Sequence, residues 1–486
     1  MKNTIIKFIS IIMTLCLLTS FFVGCGKKAV TSENVGSDLI GNADDYDDDD
    51  VNVDDEETTT TTSGNSSNNV ASSSGGKQTT GNASQTYHQD ENKKKDFLAS
   101  IPKSLKGKTV KILIWWNPGV AETAKMKEFT EKTGINVKFI TTGSGEYSQK
   151  LSSMIAQNNS PDLACIMQEQ YPSLIMQDYF QPISNGKLDL KDSIYDMDTM
   201  NKFKYKNQYY GAMIKGSTMV TFNVMLFNAD YFSQAGVKTP YQYWQEGNWN
   251  WDTFVQCAQE IQQKNKKIKA AITGEYQCNQ LIGTANTDPV KFDNGKIINN
   301  CSDTKLLDAW NFLHDLSEKY KILDVGINNR GFYTGETALS VNGNYVMQKG
   351  DSLEKNMVYK WGYAPLPSPK GQTLTVSSSV KLWGFPMGSK NTEAASYALR
   401  YWLDSTYDVK GYETWVNTSV ADFNAWLWEQ PKSFDNYIGI VNYGGNYKWS
   451  SMTAELAGSS DVKSTLDSWS KVIDANIEKI NKEFSK

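Results

Sequence analysis

Apolar side chains are spread very unevenly along this chain of 486 residues. An apolar run over residues 8–23 is followed by residues 26–100, which contain few large apolar side chains. From about residue 107, apolar and polar positions recur with the periods of strands and helices. The pattern predicts a short apolar leader, a polar segment that cannot build a core, and a long folded region.

The folded region opens with the pattern of a β-α-β unit. The predicted elements are a strand over 109–115, a helix over 121–132, a strand over 135–140, a helix over 146–157 and a strand over 163–167. Later segments predict helices over 302–320, 392–403 and 464–484 and strands over 338–341 and 360–364. Strands that alternate with helices predict an α/β fold with an open, mostly parallel sheet. Ligands of such sheets lie at the carboxyl ends of the strands.

The leader ends in a motif around Cys25. Two lysines precede an apolar run that is too short to span a membrane, which predicts a secretory signal peptide over residues 1–25. The sequence Phe22-Val23-Gly24-Cys25 resembles the bacterial lipobox, in which the cysteine thiol is lipidated and becomes the mature N-terminus. Phe22 stands where that motif usually has Leu. The resemblance implies a lipid anchor on Cys25, and the alternative is an ordinary cleaved signal with a chance cysteine.

Charge is concentrated in the polar segment. Residues 26–100 carry six lysines against fifteen acidic residues, which leaves the region 101–486 nearly neutral. This composition predicts a disordered acidic and Ser/Thr-rich tether over 26–100. The near-neutral folded region argues against a nucleic-acid partner, which requires a strong positive field. The acidic block 44–57 lacks the glycine and ligand order of a calcium loop, so we interpret it as a solvated spacer.

Metal and cofactor sites are not predicted. The chain has only two histidines, and its cysteines show no CxxC spacing. Outside the leader and Cys25 there are four cysteines, Cys165, Cys257, Cys278 and Cys301. An exported protein can hold a disulfide, with Cys278 and Cys301 as one pairing, or it can bury all four as free thiols.

Several segments occur in the order of a known family. They are 110–116 with the following helix, Ser160-Pro-Asp-Leu, Lys206-Asn-Gln-Tyr-Tyr-Gly211, Met225-Leu-Phe-Asn-Ala-Asp230, Ala235-Gly-Val, Trp249-Asn-Trp-Asp-Thr-Phe254, 335–343 and 361–371. Residues 107–486 resemble the extracellular solute-binding proteins of ABC importers, a group that includes the maltose- and oligosaccharide-binding lipoproteins of Gram-positive bacteria. We interpret Trp249 and Trp251, at the start of a helix, mostly as packing residues.

The resemblance implies a periplasmic-binding-protein-like fold of two α/β lobes with the ligand in the cleft between them. By similarity the first lobe comprises 107–222 plus 343–391, and the second comprises 223–342 plus 392–486. It also implies a monomer on the extracellular face of a Gram-positive cell membrane, held there by its lipid. Such a protein captures a sugar or oligosaccharide by cleft closure and passes it to the transmembrane subunits of an ABC permease.

A sugar cleft needs aromatic rings for the C–H faces of the sugar and polar side chains for its hydroxyl groups. Aromatic residues make up 12% of the chain, including 14 Trp and 25 Tyr. The resemblance places Trp116, Asn117, Glu169, Tyr345 and the loop with Tyr276 at positions where related proteins contact sugar or line the cleft. After residue 405, where Trp449 lies, the sequence departs from the family pattern. The candidates are Trp116, Asn117, Tyr147, Glu169, Tyr276, Gln277, Tyr345, Trp383 and Trp449. Ring packing or a place on the cleft rim is the alternative role for each of them.

Three other functions compete with sugar import. An exported glycosidase would need two opposed carboxylates, but the chain lacks GxSxG and HExxH motifs and is poor in histidine, so we expect no enzyme. A binding protein for a peptide or another small molecule is the second alternative. The third is a surface adhesin that holds carbohydrate without importing it.

Overall fold

The computed structural model describes residues 91–484. The gaps are 168–169, 216, 218–219, 274–279, 295, 325–326, 328–329, 348–351, 380, 405–419, 435–436 and 444–447. The predicted signal peptide, Cys25 and residues 26–90 of the predicted tether therefore lie outside the described residues. The last ten residues of that predicted tether form a helix, Glu91–Ser100, so the disordered segment was drawn too far along the chain. Phe97 explains the difference, because its ring packs 6.0 Å from that of Tyr397 and under the Arg400 guanidinium.

Strands and helices alternate over most of the described chain. The strands are β1 Thr109–Ile114, β2 Asn136–Thr141, β3 Ala164–Ile166, β4 Phe180–Gln181, β5 Thr221–Asn228, β6 Ala270–Thr273, β7 Val290–Asp293, β8 Lys296–Asn299, β9 Thr337–Gly343, β10 Trp361–Pro365, β11 Val376–Ser379, β12 Leu382–Pro386 and β13 Lys432–Phe434. The helices are α1 Glu91–Ser100, α2 Val120–Thr133, α3 Tyr147–Ala156, α4 Ser173–Met176, α5 Met197–Lys202, α6 Ala229–Ala235, α7 Pro240–Gln245, α8 Trp251–Lys264, α9 Gln280–Gly283, α10 Thr304–Glu318, α11 Arg330–Tyr333, α12 Ser352–Asn356, α13 Thr392–Leu403, α14 Val420–Glu429, α15 Ile438–Val441, α16 Lys448–Gly458 and α17 Val462–Phe484. The predicted elements listed above are confirmed to within a few residues at their ends.

The pair β1–β2 and the three-stranded sheet β3–β12–β4 are joined by one isolated bridge, and we call the two together the first sheet. β1 pairs with β2 in parallel, and Ile112 bridges in parallel to Leu163, just before β3. β12 runs antiparallel between β3 and β4. Helix α2 connects β1 to β2 and ends at Gly134, whose φ of 73° closes the helix with a bond from its N–H to the Thr130 carbonyl. The predicted β-α-β unit is thus the beginning of this sheet.

The second sheet is built around β5. β9 pairs with one side of β5, and β10 and β11 pair with the other, all antiparallel to it. β6 joins β9 in parallel, and β13 joins β11 in parallel. Every strand of this sheet except β5 therefore runs in the same direction. A separate hairpin, β7–β8, lies beside the C-terminal helix α17.

Strand pairing assigns two segments differently from the expected lobe division. Residues 343–391 were expected with the first lobe, but β10 and β11 pair with β5 in the second sheet. Residues 392–486 were expected with the second lobe, but α13 packs against α2 and β1 of the first sheet. These long-range contacts explain the difference. The two-lobe boundaries as a whole stay a prediction.

A partly buried lysine joins helices α2 and α13, which both pack on the first sheet. Lys125, in α2, donates hydrogen bonds from its Nζ to the carbonyl oxygens of Trp402 (3.0 Å) and Asp404 at the end of α13. These are carbonyl groups that a helix end leaves without intrahelical partners. Burial lowers the pKa of Lys125 to about 8, although the nearby Asp404 acts in the opposite direction. The folded protein therefore holds this proton less tightly than the unfolded chain does.

We predict that this lysine makes the free energy of unfolding rise with pH. Between pH 8 and the ordinary lysine pKa of about 10.4, the unfolded state binds more protons at Lys125 than the folded state does. Measured by urea unfolding, the free energy of unfolding should rise from pH 7 to pH 9.5 by about 2 kcal/mol more in the wild type than in Lys125→Met. Lys127→Met, at an exposed lysine of the same helix, keeps Lys125 and is the control, so its free energy of unfolding should rise with pH as much as that of the wild type. Equal pH slopes for all three proteins would contradict the prediction.

Candidate functional site

The two sheets meet at the carboxyl ends of their parallel strands. Two neighbouring stretches of chain connect them: Ala212 bridges to Trp383 in the first sheet, and Thr221 pairs with Ser379 in the second. β11 ends at Ser379 and β12 begins at Leu382, so the carboxyl end of β11 leads directly to the edge where β1 and β3 end. Side chains that follow β1 and β9 therefore lie at this junction. Open α/β sheets bind their ligands at such an edge.

A group of tryptophans lies on the first-sheet side of the junction. Trp115 and Trp116 follow β1, and their ring centroids are 4.7 Å apart with the rings nearly perpendicular. Trp383, in β12, lies 6.4 Å from Trp115 and 6.2 Å from Trp116. Trp402, at the end of α13, stacks on Trp116 at 6.3 Å and 17°. We call these four residues the tryptophan cluster.

Burial differs within the tryptophan cluster. Trp383 is fully buried and Trp402 nearly so, whereas Trp115 and Trp116 are half-buried. Asn117, the next residue, is exposed. Lys381 holds its Nζ 4.9 Å from the centre of the Trp115 ring, a cation–π distance. The tryptophan cluster thus presents two partly accessible rings with two buried rings behind them, and the Asn117 amide lies next to it.

Glu122 connects two members of the tryptophan cluster. Its Oε2 accepts a hydrogen bond from Trp116 Nε1 at 3.0 Å, and its Oε1 accepts one from Trp402 Nε1 at 2.7 Å. The residue lies in the first turn of α2, where a negative charge interacts favourably with the helix dipole. Both carboxylate oxygens are therefore used to hold indole rings.

The second-sheet side carries an asparagine pair and a tyrosine. Asn344, directly after β9, accepts from the Phe222 backbone N–H at 3.0 Å and donates to Asn424 Oδ1 at 2.9 Å. Tyr345 follows and is half-buried. A Cβ on Gly343 would collide with the Tyr345 ring and lie 2.6 Å from the Thr221 methyl group. The Tyr345 ring thus packs directly over Gly343, which leaves no space for a side chain at that position.

Further buried polar groups lie beneath this edge. Ser377, in β11, donates to Gln280 Oε1 at 2.5 Å, and Asn223 donates to the Ser377 carbonyl at 3.5 Å. Gln280 is the first residue described after the gap 274–279. Polar side chains at this depth are stable only when they are hydrogen-bonded, and these are bonded to one another. The second sheet therefore offers a more polar edge than the tryptophan cluster does.

A family comparison identifies the kind of protein. The model of the family described as bacterial extracellular solute-binding protein matches residues 124–434, which is more than half of the chain. The chain belongs to the bacterial extracellular solute-binding protein family. None of the curated protein sequences matches it significantly.

Solved structures show that this solute-binding protein has the two-lobe α/β fold of its family. A cyclo/maltodextrin-binding protein in complex with maltotetraose matches with a TM-score of 0.59 and 15% identity, over 76% of this chain and 97% of the other. The sugar-binding protein MalE of Xanthomonas citri matches with 0.58 and 17%, over 78% and 99%. UgpB of Mycobacterium tuberculosis, in complex with glycerophosphocholine, matches with 0.56 and 15%, over 76% and 99%. At these identities the likeness shows the fold alone.

The predicted ligand residues of this solute-binding protein fall into three groups. Trp116, Asn117 and Tyr345 lie at the junction with accessible surface. Tyr147, Trp383 and Trp449 are buried, and a ligand contact at these three residues stays a prediction. Glu169, Tyr276 and Gln277 lie outside the described residues.

The buried position of each of the three residues has a physical reason. The Tyr147 hydroxyl accepts from the Cys165 backbone N–H at 2.7 Å, which ties α3 to β3. Trp383 lies in a strand that has partners on both sides. Trp449 lies at the start of α16, and its backbone N–H donates to Asn442 Oδ1 at 2.9 Å. Of the two tryptophans expected to pack, Trp249 is buried and Trp251 stacks on Phe312 at 4.1 Å.

Sequence reasoning missed Trp115, Trp402, Glu122 and Lys381. The pair Trp115-Trp116 was visible at the end of the first strand, where either ring could have faced the ligand. Trp402 and Glu122 gave no signal, because 280 positions separate them in the sequence. Only the packing of α13 on α2 brings these two residues together.

Other features of the solute-binding protein concern metals, thiols and membranes. Within the described residues, no group of three His, Cys, Asp or Glu side chains could hold a metal ion. Cys257 and Cys301 are buried thiols that form no disulfide, and Cys165 is buried as well, whereas Cys278 lies outside the described residues. Among the described helices, none has the length and apolar character needed to cross a membrane.

We predict that Gly343→Ala destabilises this solute-binding protein. The added Cβ would meet the Tyr345 ring and Thr221, so the junction must shift, at a cost of about 1–3 kcal/mol. Chemical denaturation measures the loss. Gly143→Ala, at a site with no atom within 4 Å of the new Cβ, is the matched control and should be neutral or slightly stabilising. A Gly343→Ala protein as stable as this control would contradict the close packing.

Proposed function

We propose that this protein captures a sugar or oligosaccharide at the junction of its two sheets and delivers it to an ABC importer. The ligand class follows from the chemistry of the accessible residues. The fold relatives described above include proteins whose structures contain maltotetraose or bear the name sugar-binding protein. The protein would bind its ligand without changing it chemically.

One observation carries the sugar proposal. Half-buried Trp116 and exposed Asn117 stand together at the carboxyl end of β1, across the sheet junction from half-buried Tyr345. A sugar ring has apolar C–H faces that pack on aromatic rings, and its hydroxyl groups pair with amides. An aromatic ring and an amide next to each other therefore match the two kinds of surface on a sugar. The fully buried rings behind Trp116 give it a rigid support.

Binding would work by closure of the two parts of the protein, one built on the first sheet and the other on the second. A ligand that touches both Trp116 and Tyr345 gains contacts only when both edges are close to it. It therefore stabilises the closed arrangement by its higher affinity for that arrangement. We propose that the closed form of the monomer is the one that the transmembrane subunits of the permease recognise.

A non-sugar ligand is the second candidate, because UgpB, a protein of this fold, binds glycerophosphocholine. Aromatic rings such as Trp115 and Trp116 also attract cations. However, Lys381 already lies over Trp115 and would repel a cationic group there. A surface adhesin that holds carbohydrate without import would share the same site, and permease genes beside this one would distinguish import from adhesion.

We expect thermal unfolding of the full chain to identify the ligand class. A ligand that binds only the folded state adds about 2.7 kcal/mol at a hundredfold excess over its Kd, so the midpoint rises. The panel contains maltotetraose, other mono- and oligosaccharides, peptides and glycerophosphocholine. A rise with one sugar class supports the proposal. A rise only with glycerophosphocholine or peptides removes the sugar claim and leaves the fold unaffected.

Two variants locate the binding site in the same experiment. Asn117→Ala removes an exposed amide at the junction and should reduce the ligand-induced rise while leaving the unliganded midpoint unchanged. Asn136→Ala is the matched control, because Asn136 is an exposed asparagine at the opposite, amino end of β2. If the two variants respond equally to the ligand, the site does not include Asn117.

The proposed anchor predicts where the protein is found in the cell. Cys25→Ser removes the thiol that would carry lipid, so the protein should lose its fatty-acid label and leave the membrane fraction. Cys16→Ser, inside the apolar leader, is the control and should stay labelled and membrane-bound. Metabolic labelling with a fatty acid and cell fractionation measure both effects. Identical behaviour of the two variants would exclude Cys25 as the anchor.

A further inference from the structure

Glu122 occupies an unusual position for a surface helix carboxylate. It lies in the first turn of α2, yet its two oxygens accept hydrogen bonds from two different tryptophans, Trp116 at 3.0 Å and Trp402 at 2.7 Å. An indole ring has a single hydrogen-bonding group, its N–H. One residue therefore satisfies the whole hydrogen-bonding capacity of two rings of the tryptophan cluster.

We infer that Glu122 is a positioning residue that fixes the orientation of the Trp116 ring for ligand binding. This inference rests on the proposed function for its ligand, but the ring orientation itself can be measured without any ligand. Trp116 lies directly after a strand, and its partly accessible ring needs a constraint on its rotation. The bond from its N–H to a carboxylate on the next helix supplies that constraint.

The rings around Trp116 restrict it further but leave its rotation dependent on Glu122. Trp115 and Trp383 meet it edge to face, at 78° and 86°, while Trp402 is nearly parallel to it at 17°. Edge-to-face and offset-stacked pairs are each worth about 0.5–1.5 kcal/mol beyond burial, and they tolerate sliding. A hydrogen bond from an indole N–H has a narrower range of directions. The carboxylate thus selects one orientation among those that the packing allows.

Glu122 is itself held in place through Trp402. Lys125, one turn further along α2, donates to the Trp402 carbonyl oxygen at 3.0 Å, while Glu122 accepts from the Trp402 side chain. The first turns of α2 therefore hold both the backbone and the ring of Trp402. The same contacts fix the distance between α2 and the end of α13. The Trp116 ring packs against the side chains that these two helices hold in place.

The arrangement requires a carboxylate. A glutamine side chain has the same shape, but it offers one acceptor oxygen and an NH₂ group that only donates. After Glu122→Gln, one of the two indole N–H groups would face a donor and lose its partner, which is costly in a buried place. Removing one of the two tryptophan donors should restore the fit, because the remaining amide oxygen can then serve the other ring.

The first experiment follows the indole N–H signals of the full chain labelled with ¹⁵N-tryptophan. Trp116→Phe and Trp402→Phe assign the two signals. In Glu122→Gln at least one of these two signals should shift upfield. The signals of tryptophans on the side of the second sheet should stay unchanged. Glu131→Gln, an exposed glutamate of the same helix, is the control and should move neither signal. Unchanged Trp116 and Trp402 signals in Glu122→Gln would overturn the inference.

The second experiment measures affinity by calorimetric titration with maltotetraose, or with the sugar that raises the unfolding midpoint most. Glu122→Gln should weaken binding about tenfold, and Glu131→Gln should leave it unchanged. Adding Trp402→Phe to Glu122→Gln should restore the Trp116 signal and most of the affinity. If Glu122 only stabilised the fold, adding Trp402→Phe would lower the affinity further, since this second substitution removes more packing. If the signals shift but the affinity does not, Glu122 has no part in ligand binding.

The two experiments separate failure of the inference from failure of the proposed function. If no sugar binds to the wild type but the Trp116 signal depends on Glu122, the positioning role stands and the sugar proposal falls. If sugar binds to the wild type and Glu122→Gln changes neither signal nor affinity, the sugar proposal stands and the positioning role falls.

Discussion

The short connection between β11 and β12 determines how the carboxyl edges of the two sheets are placed, and the rest of the structure depends on that placement. Two residues separate the strands, so the end of the second sheet must lie beside the beginning of β12 in the first. The neighbouring connection, from Ala212 to Thr221, pairs with both of them. Because the two connections are antiparallel neighbours, the carboxyl edges of the sheets are brought together. The position of the proposed ligand site follows from this geometry before any side chain is considered.

Local pattern and non-local pairing account for what the sequence could and could not predict. The run from β1 to β3 was predictable because each element is defined by its own periodicity and by local signals such as Gly134. β10 and β11 are also recognisable as short apolar or mixed segments, but their partner β5 lies more than a hundred residues earlier. Nothing local marks that choice of partner. The expected lobe division therefore does not follow the observed pairing of those strands or the packing of α13.

The candidate site shows the same limit for single residues. The place of Trp116 and Asn117 at the edge of the first sheet was predictable because they follow a strand with a clear pattern; their contact with a ligand stays a prediction. Trp383 was expected near the crossing between the lobes and is there, but a ring in a strand with neighbours on both sides is buried. Its role is to support Trp115 and Trp116. Periodicity indicates which face of a strand is apolar, but it does not indicate how deeply a given ring lies.

Contacts away from the connections also join the two halves. Tyr171 meets Phe292 of β7 edge to face at 5.2 Å, and the Asn207 backbone N–H donates to Asn294 Oδ1 at 2.7 Å. Phe203 packs on Phe434 of β13 at 5.4 Å. These contacts lie away from the candidate site, so they contribute to the free energy of the arrangement in which the two sheets' sides touch. Under the proposed closure mechanism, a ligand has to supply only the remaining difference between the open and closed forms. The proposed mechanism therefore makes affinity depend on two surfaces: the junction that would touch the ligand, and these contacts, which would lower the cost of closing around it.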